Sequence, residues 1–155
     1  VRLSSLLRTN EEQFEPKKRW AMDWYYPVLT SALTKDLASQ RMASRFDEFM
    51  LDDHGVRCVS DQPWVTTAET CECAMAYLAI GDEATAHRLF QSVQPLRDED
   101  GAYFTGMVFP ETITFPDSER STYSSAAVIL AADALTNHSA ASRLVLGHGL
   151  PSLGS

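Results

Sequence analysis

A chain of 155 residues with an apolar fraction of 45% fits one domain and can bury roughly 68–70% of its unfolded surface. Its 13 basic against 21 acidic side chains leave a net charge of −8, which argues against a nucleic-acid or anionic-membrane footprint built on clustered basic residues. The apolar stretch from Ala126 to Ala132 falls far short of the roughly 20 residues of a membrane helix, and Cys58, Cys71 and Cys73 make no disulfide framework, so a cytoplasmic protein without a membrane span is expected.

The opening, VRLSSLLRTNEEQF, lacks a sustained apolar region and turns acidic, which makes it a poor secretory signal; a start at Val1 rather than Met fits a trimmed chain. Residues 1–19 are expected to be a lead-in or the remnant of a preceding helix. The cluster Lys17, Lys18 and Arg19 follows Glu11, Glu12 and Glu15 and reads as a self-paired, solvated surface. Asp23 is a candidate N-cap for a first helix, with Pro27 in its first turn and Val28, Leu29, Ala32 and Leu33 on one side. A second helix is expected from about Asp36 to Leu51, on the stripe Leu37, Met42, Phe46, Phe49 and Met50.

GVRCVSDQPWV alternates too briefly to predict a strand with force and reads as a loop or short strand. Thr66-x-x-Glu69 then offers a capping box for a third helix of small residues running to Gly81. Asp82 caps a fourth, with Ala86, Leu89, Phe90 and Val93 inward. Arg97 to Arg120 reads as a second long loop, dense in aromatic residues, Gly and Pro. The last strong helix, STYSSAAVILAADAL, is nearly apolar beyond its first turn and is expected to be buried on most sides. Residues 20–137 thus form a helical-hairpin domain, and 138–155 a flexible tail. Fold class from these elements is all-α.

Three helix starts are alike: Asp23 to Pro27, Trp64 to Glu69 and Arg120 to Ser124 each set aromatic and hydrogen-bonding residues before a helix rich in small side chains. That is the logic of a helical-hairpin repeat, with an irregular bundle as its alternative. The blocks WAMDWYYPVL, GVRCVSDQPWVTTAETCECAMAYLAIGD, LRDEDGAYFTG and FPDSERSTYSSAAVILAADAL resemble the C-terminal part of bacterial prenyltransferase-like or terpene-cyclase-like proteins, from about Trp20 to Leu135. The resemblance implies a partial α/α toroid whose aromatic-rich loops rim a cavity. Asp23 to Pro27, Trp64 to Glu69, Tyr103 to Pro110 and Glu119 to Tyr123 would form that rim. The chain departs from such enzymes in having neither the Asp-x-Cys pair of a prenyltransferase zinc site nor the Asp-rich protonating motif of a triterpene cyclase. It also supplies too few helices to close a ring, which implies a missing toroid half or self-association.

Aromatic faces share these segments with Asp23, Asp61, Glu69, Glu72, Glu111 and Glu119, the candidates to supply a general acid and a base in a sugar-processing site. Two carboxyl groups converging at about 5–5.5 Å or roughly 6.5–9.5 Å would serve glycoside chemistry, and aromatic faces would stack on sugars or stabilise a carbocation. Asp23 and Glu69 are the catalytic candidates; against that stand an N-cap and a capping-box role. Glu72 lies one turn beyond Glu69 and shares its helix face. Trp24, Tyr25, Trp64, Arg57, Tyr103 and Tyr123 are the candidate substrate-binding residues, with Trp20 as a further stacking face. Arg57, Arg97 and Arg120 would hold a diphosphate if their loops converge, and otherwise pair with Asp61, Asp98 or Glu119. Cys71 and Cys73 point about 200° apart on a helix and suggest no metal site; no cofactor is expected. The function read from this pattern is a metal-independent toroid enzyme, a hydrolase or a transferase/cyclase, acting on a carbohydrate or isoprenoid-type substrate. The alternative is a noncatalytic binding or assembly module.

Overall fold

A computed structural model of the protein describes residues 2–146. Helix α1 (Arg2–Thr9) and a 3-10 turn (Glu11–Gln13) lead into α2 (Ala21–Leu29), α3 (Lys35–Ser44) and the single turn α4 (Phe46–Phe49). Strands β1 (Met50–Leu51), β2 (Gly55–Val56) and β3 (Trp64–Thr66) follow, then α5 (Thr67–Ile80), α6 (Glu83–Ser92), β4 (Gly106–Val108), β5 (Ile113–Phe115), α7 (Thr122–Thr136) and α8 (Ala140–Val145). Among the described residues no helix is long and apolar enough to cross a membrane.

The all-α expectation is overturned. β1 and β2 form an antiparallel hairpin, and β3, β4 and β5 form a three-stranded antiparallel sheet in which Val65 faces Met107 and Met107 faces Thr114. The fold is mixed α/β, and the partial-toroid assignment falls with the all-α class. β2 to β5 come from segments read as loops or, in GVRCVSDQPWV, as a loop or short strand, and β1 from the end of the expected second helix. Each strand is two or three residues long, too short for a period-two signal, and β3 meets its partner β4 only across α5 and α6. Gly106 makes the close pairing possible, because a Cβ there would lie 2.5 Å from the Val65 carbonyl oxygen.

Helix α5 stands at the centre. Nine of its 14 residues are buried, which follows from a body of Ala, Cys and Thr without a charged face on its inner turns. One side meets Trp24, Tyr25, Met42, Phe49 and Leu89 from α2, α3, α4 and α6. The other meets Val93, Leu96, Tyr103, Ala127 and Ala131. Its buried hydroxyls are paired: Thr70 accepts from the Val56 amide at 3.0 Å and donates to the Thr66 carbonyl, while Thr67 donates to the Phe104 carbonyl at 2.7 Å. Gly81, at φ 88°, ends the helix in the left-handed conformation that glycine adopts without a Cβ clash.

Two helix boundaries differ from the sequence reading, and so does the burial of the last long helix. α2 starts at Ala21, so Pro27 lies in the helix interior and not in its first turn. Proline there deprives the Asp23 carbonyl of its amide donor. The Arg41 guanidinium takes that place, donating from Nη2 to the Asp23 oxygen and from Nε to the Trp24 oxygen, both at 2.7 Å. The expected helix from Asp36 to Leu51 stops at Ser44 and gives way to α4 and β1. On α7, Ser121 caps the start by accepting from the Ser124 amide. Its outer side is exposed where burial was expected, with Ile129 69% and Leu130 40% accessible. Part of the expected tail, residues 138–155, lies beyond residue 146 and so outside the described residues; its earlier part carries α8, whose start Ser139 caps.

Candidate active site

The packing of α2 and α7 against α5 brings three tyrosines to two glutamates. Glu69 and Glu72 lie three residues apart on α5 and so share a face. Tyr25 on α2 donates its hydroxyl to Glu72 Oε2 at 2.6 Å, and Tyr123 on α7 donates to the other oxygen, Oε1, at 2.5 Å. Tyr26 packs edge-on to Tyr25, with ring centroids 5.2 Å apart, and its hydroxyl lies within reach of Tyr123 and Glu72. One carboxylate is therefore gripped from both sides by phenols of two different helices. Such charge-assisted hydrogen bonds fix the orientation of the group they hold.

Glu69 is held differently. Its carboxylate accepts from the Thr66 hydroxyl at 2.5 Å, and Thr66 makes no side-chain bond to the helix amides, so the expected capping box is replaced by a hydroxyl–carboxylate contact. Burial pushes the Glu69 carboxyl above the usual range, the Thr66 hydrogen bond pulls it back in part, and the Glu72 charge adds to the rise. Burial likewise raises the Tyr25 phenol well above its ordinary value, with the Glu72 charge as the next cause. Burial raises the Tyr26 phenol, and its contact with the Tyr123 hydroxyl offsets part of that rise. Burial and then the Glu69 charge push the nearby Cys58 thiol up to about 11, which leaves it protonated and unreactive at neutral pH.

Of the residues singled out in sequence, the structure brings Glu69, Tyr25 and Tyr123 together. Asp23 lies in the first turn of α2, faces Arg45 at 3.8 Å and lines an open groove with Trp20 and Tyr26. Trp24 is fully buried, stacked 5.6 Å from Phe49, with its indole N–H on the Arg41 carbonyl. Tyr103 is buried in the second core and donates to Gln94 at 2.9 Å. Trp64 stacks 4.6 Å from Phe115 on the sheet. Arg57 lines a separate recess with Asp52, Asp53 and Arg88, while Arg120 is tied at 2.7 Å to both Asp98 and Asp100. Arg57 and Arg120 thus lie in different settings and share no anion site.

Glu72 and Tyr26 stand outside the leading sequence candidates: Glu72 is one of six carboxylates offered, one turn beyond Glu69, and Tyr26 falls within the Asp23-to-Pro27 rim. Cys71 and Cys73 fall on opposite sides of α5, one in each core. Among the described residues no three His, Cys, Asp or Glu side chains are grouped as metal ligands.

No protein-family model matches the chain. Over 150 residues it is 45% identical to a protein of Mycolicibacterium hassiacum named MMP endo-(1,4)-3-O-methyl-alpha-D-mannosidase, in a match covering 97% of this chain and 42% of that relative. The chain thus spans less than half the length of the curated relative it matches. The relative is named as a mannosidase and as neither a prenyltransferase nor a terpene cyclase, which corrects the prenyltransferase-like and terpene-cyclase-like labels suggested by the sequence blocks.

Proposed function

We propose that this chain carries part of a glycoside-processing site that acts on α-linked mannose or O-methylmannose chains, with Glu69 as its general acid. The carrying observation is the Glu69–Glu72 pair on one face of α5, with Tyr25 and Tyr123 occupying both oxygens of Glu72 and leaving Glu69 in a desolvated position. A carboxyl whose proton is held more tightly because of burial is suited to protonating the leaving oxygen of a glycosidic bond, while a neighbour in a polar setting stays an acceptor. Glu72, saturated by two phenols, holds the electrostatics of the site and does not attack. Asp23, which lines the groove at the start of α2 beside Arg45, is assigned as the second carboxyl. The relative's mannosidase name supports the sugar class.

The test is turnover of an α-(1→4)-linked 3-O-methylmannose oligosaccharide, followed by release of reducing ends. Glu69→Gln should lower kcat by about 10²–10⁴-fold while the protein still melts cooperatively; Asp23→Asn should also lower kcat. Parental turnover in Glu69→Gln would sink the assignment. A second reading, a noncatalytic binding or assembly module, draws on the outward Ile129 and Leu130 of α7, an apolar stripe suited to another chain. It prevails if the parent turns over no mannoside yet associates in sedimentation.

A further inference from the structure

We propose that the groove at the start of α2 is the subsite for an O-methylated pyranose ring, with Trp20 as its stacking platform and specificity residue. This rests on the glycoside-processing reading above and assigns the sugar ring a place. The groove encloses about 590 Å³ and is lined by Lys17, Trp20, Met22, Asp23, Tyr26 and Pro27.

Trp20 is 43% exposed, whereas Trp24 is fully buried and Trp64 is half-buried against Phe115. A half-exposed indole offers a flat face on which a sugar ring can stack. This one is also braced. Its backbone bridges to Val59, and the following amide, Ala21, donates to the Cys58 carbonyl at 3.0 Å. The Arg19 guanidinium sits 5.3 Å from the ring centroid and is itself held by Asp61 at 3.0 Å. A platform fixed in this way loses little conformational freedom when a ring stacks on it.

The groove adjoins the carboxylate cluster through Tyr26. Tyr26 lines it and packs edge-on to Tyr25, whose hydroxyl holds Glu72, so a ring on Trp20 sits two tyrosines away from the glutamate pair. The chemistry of the wall selects the ring. Met22, Pro27 and the two aromatic rings offer apolar surface, and the polar groups are few: Lys17, Asp23, the Tyr26 hydroxyl and the Trp20 indole N–H. A free hexose buried against such a wall leaves hydroxyls without partners, a desolvation penalty that an O-methyl group removes. Methyl ethers also add apolar surface that Met22 can follow with its flexible side chain.

Equilibrium binding measures this without reference to turnover. The probes are an α-(1→4)-linked 3-O-methylmannose tetrasaccharide and its unmethylated counterpart, titrated calorimetrically into Glu69→Gln protein so that no substrate is consumed. The methylated probe should bind more tightly. Adding Trp20→Ala should weaken it about tenfold and level the two probes, whereas adding Trp20→Phe should retain most of the affinity. In the otherwise unaltered protein, Trp20→Ala should raise KM and spare kcat. Equal binding with Trp20→Ala, or no saturable binding of either probe, overturns the subsite. Turnover surviving in Glu69→Gln overturns the acid assignment instead, so the two failures are distinguishable.

Discussion

Glu69 shows how a single residue links stability to chemistry. Its carboxyl is raised mainly by burial, so the folded chain holds that proton more tightly than the unfolded chain does. The stability this contributes is fully present below the unfolded carboxylate pKa, about 4.3, and is lost as pH rises through the higher folded value. Above that folded value the native protein bears a buried negative charge beside Glu72. Glu69→Gln removes that charge and keeps an oxygen that accepts from Thr66. The variant should melt at a higher temperature than the parent at neutral pH, with the gap closing below about pH 4. Melts at a series of pH values check this. A gap of constant size, or one that widens in acid, would mean that desolvation does not govern the residue. Higher stability together with lost turnover is the trade expected when a strained group serves a reaction.

At the scale of elements, α2 illustrates a break and its repair. Pro27 belongs in the first turn if the helix starts at Asp23, but Ala21 opens the helix because its amide is anchored on the Cys58 carbonyl. Arg41, from α3, then restores donors to the Asp23 and Trp24 carbonyls. Arg41→Met should keep much of the aliphatic packing and lose both donors, at roughly 1–3 kcal/mol of stability read by urea denaturation. A loss below about 0.5 kcal/mol would show that water replaces the guanidinium without penalty. The same comparison shows what a local pattern can reveal. Gly81 and Asp82 mark the turn between α5 and α6 by residue type alone, and Leu89 and Val93 follow helical spacing. The Val65–Met107 pairing cannot be read that way, because neither short segment alternates and the contact spans 42 residues, from 107 − 65. The site divides similarly. Glu69, Tyr25 and Tyr123 stand near helix starts, where polar residues are conspicuous, whereas the grip on Glu72 needs α2 and α7 to meet on α5.

For the whole molecule, that grip joins helices otherwise packed through small apolar side chains. Glu72 is bonded to Tyr25, 47 residues earlier, and to Tyr123, 51 residues later, so one carboxylate ties α2 and α7 to the central α5. Burial decides how much each tie contributes. Tyr25 is wholly buried, and its hydroxyl has no route to bulk water, whereas Tyr123 is 52% exposed and exchanges its partner for solvent easily. Tyr25→Phe should therefore destabilise by about 1.5–3 kcal/mol, the range for hydrogen bonds to charged groups, and Tyr123→Phe by about 1 kcal/mol or less. Because both phenols hold the same carboxylate, the double variant should depart from the sum of the singles, and that coupling measures their shared grip. Chemical denaturation of the four proteins in the cycle provides the numbers. Strict additivity would mean that α2 and α7 are fastened to α5 independently, by the two cores alone. Coupling would mean that the glutamate at the site is also the joint by which the two flanking helices sense one another.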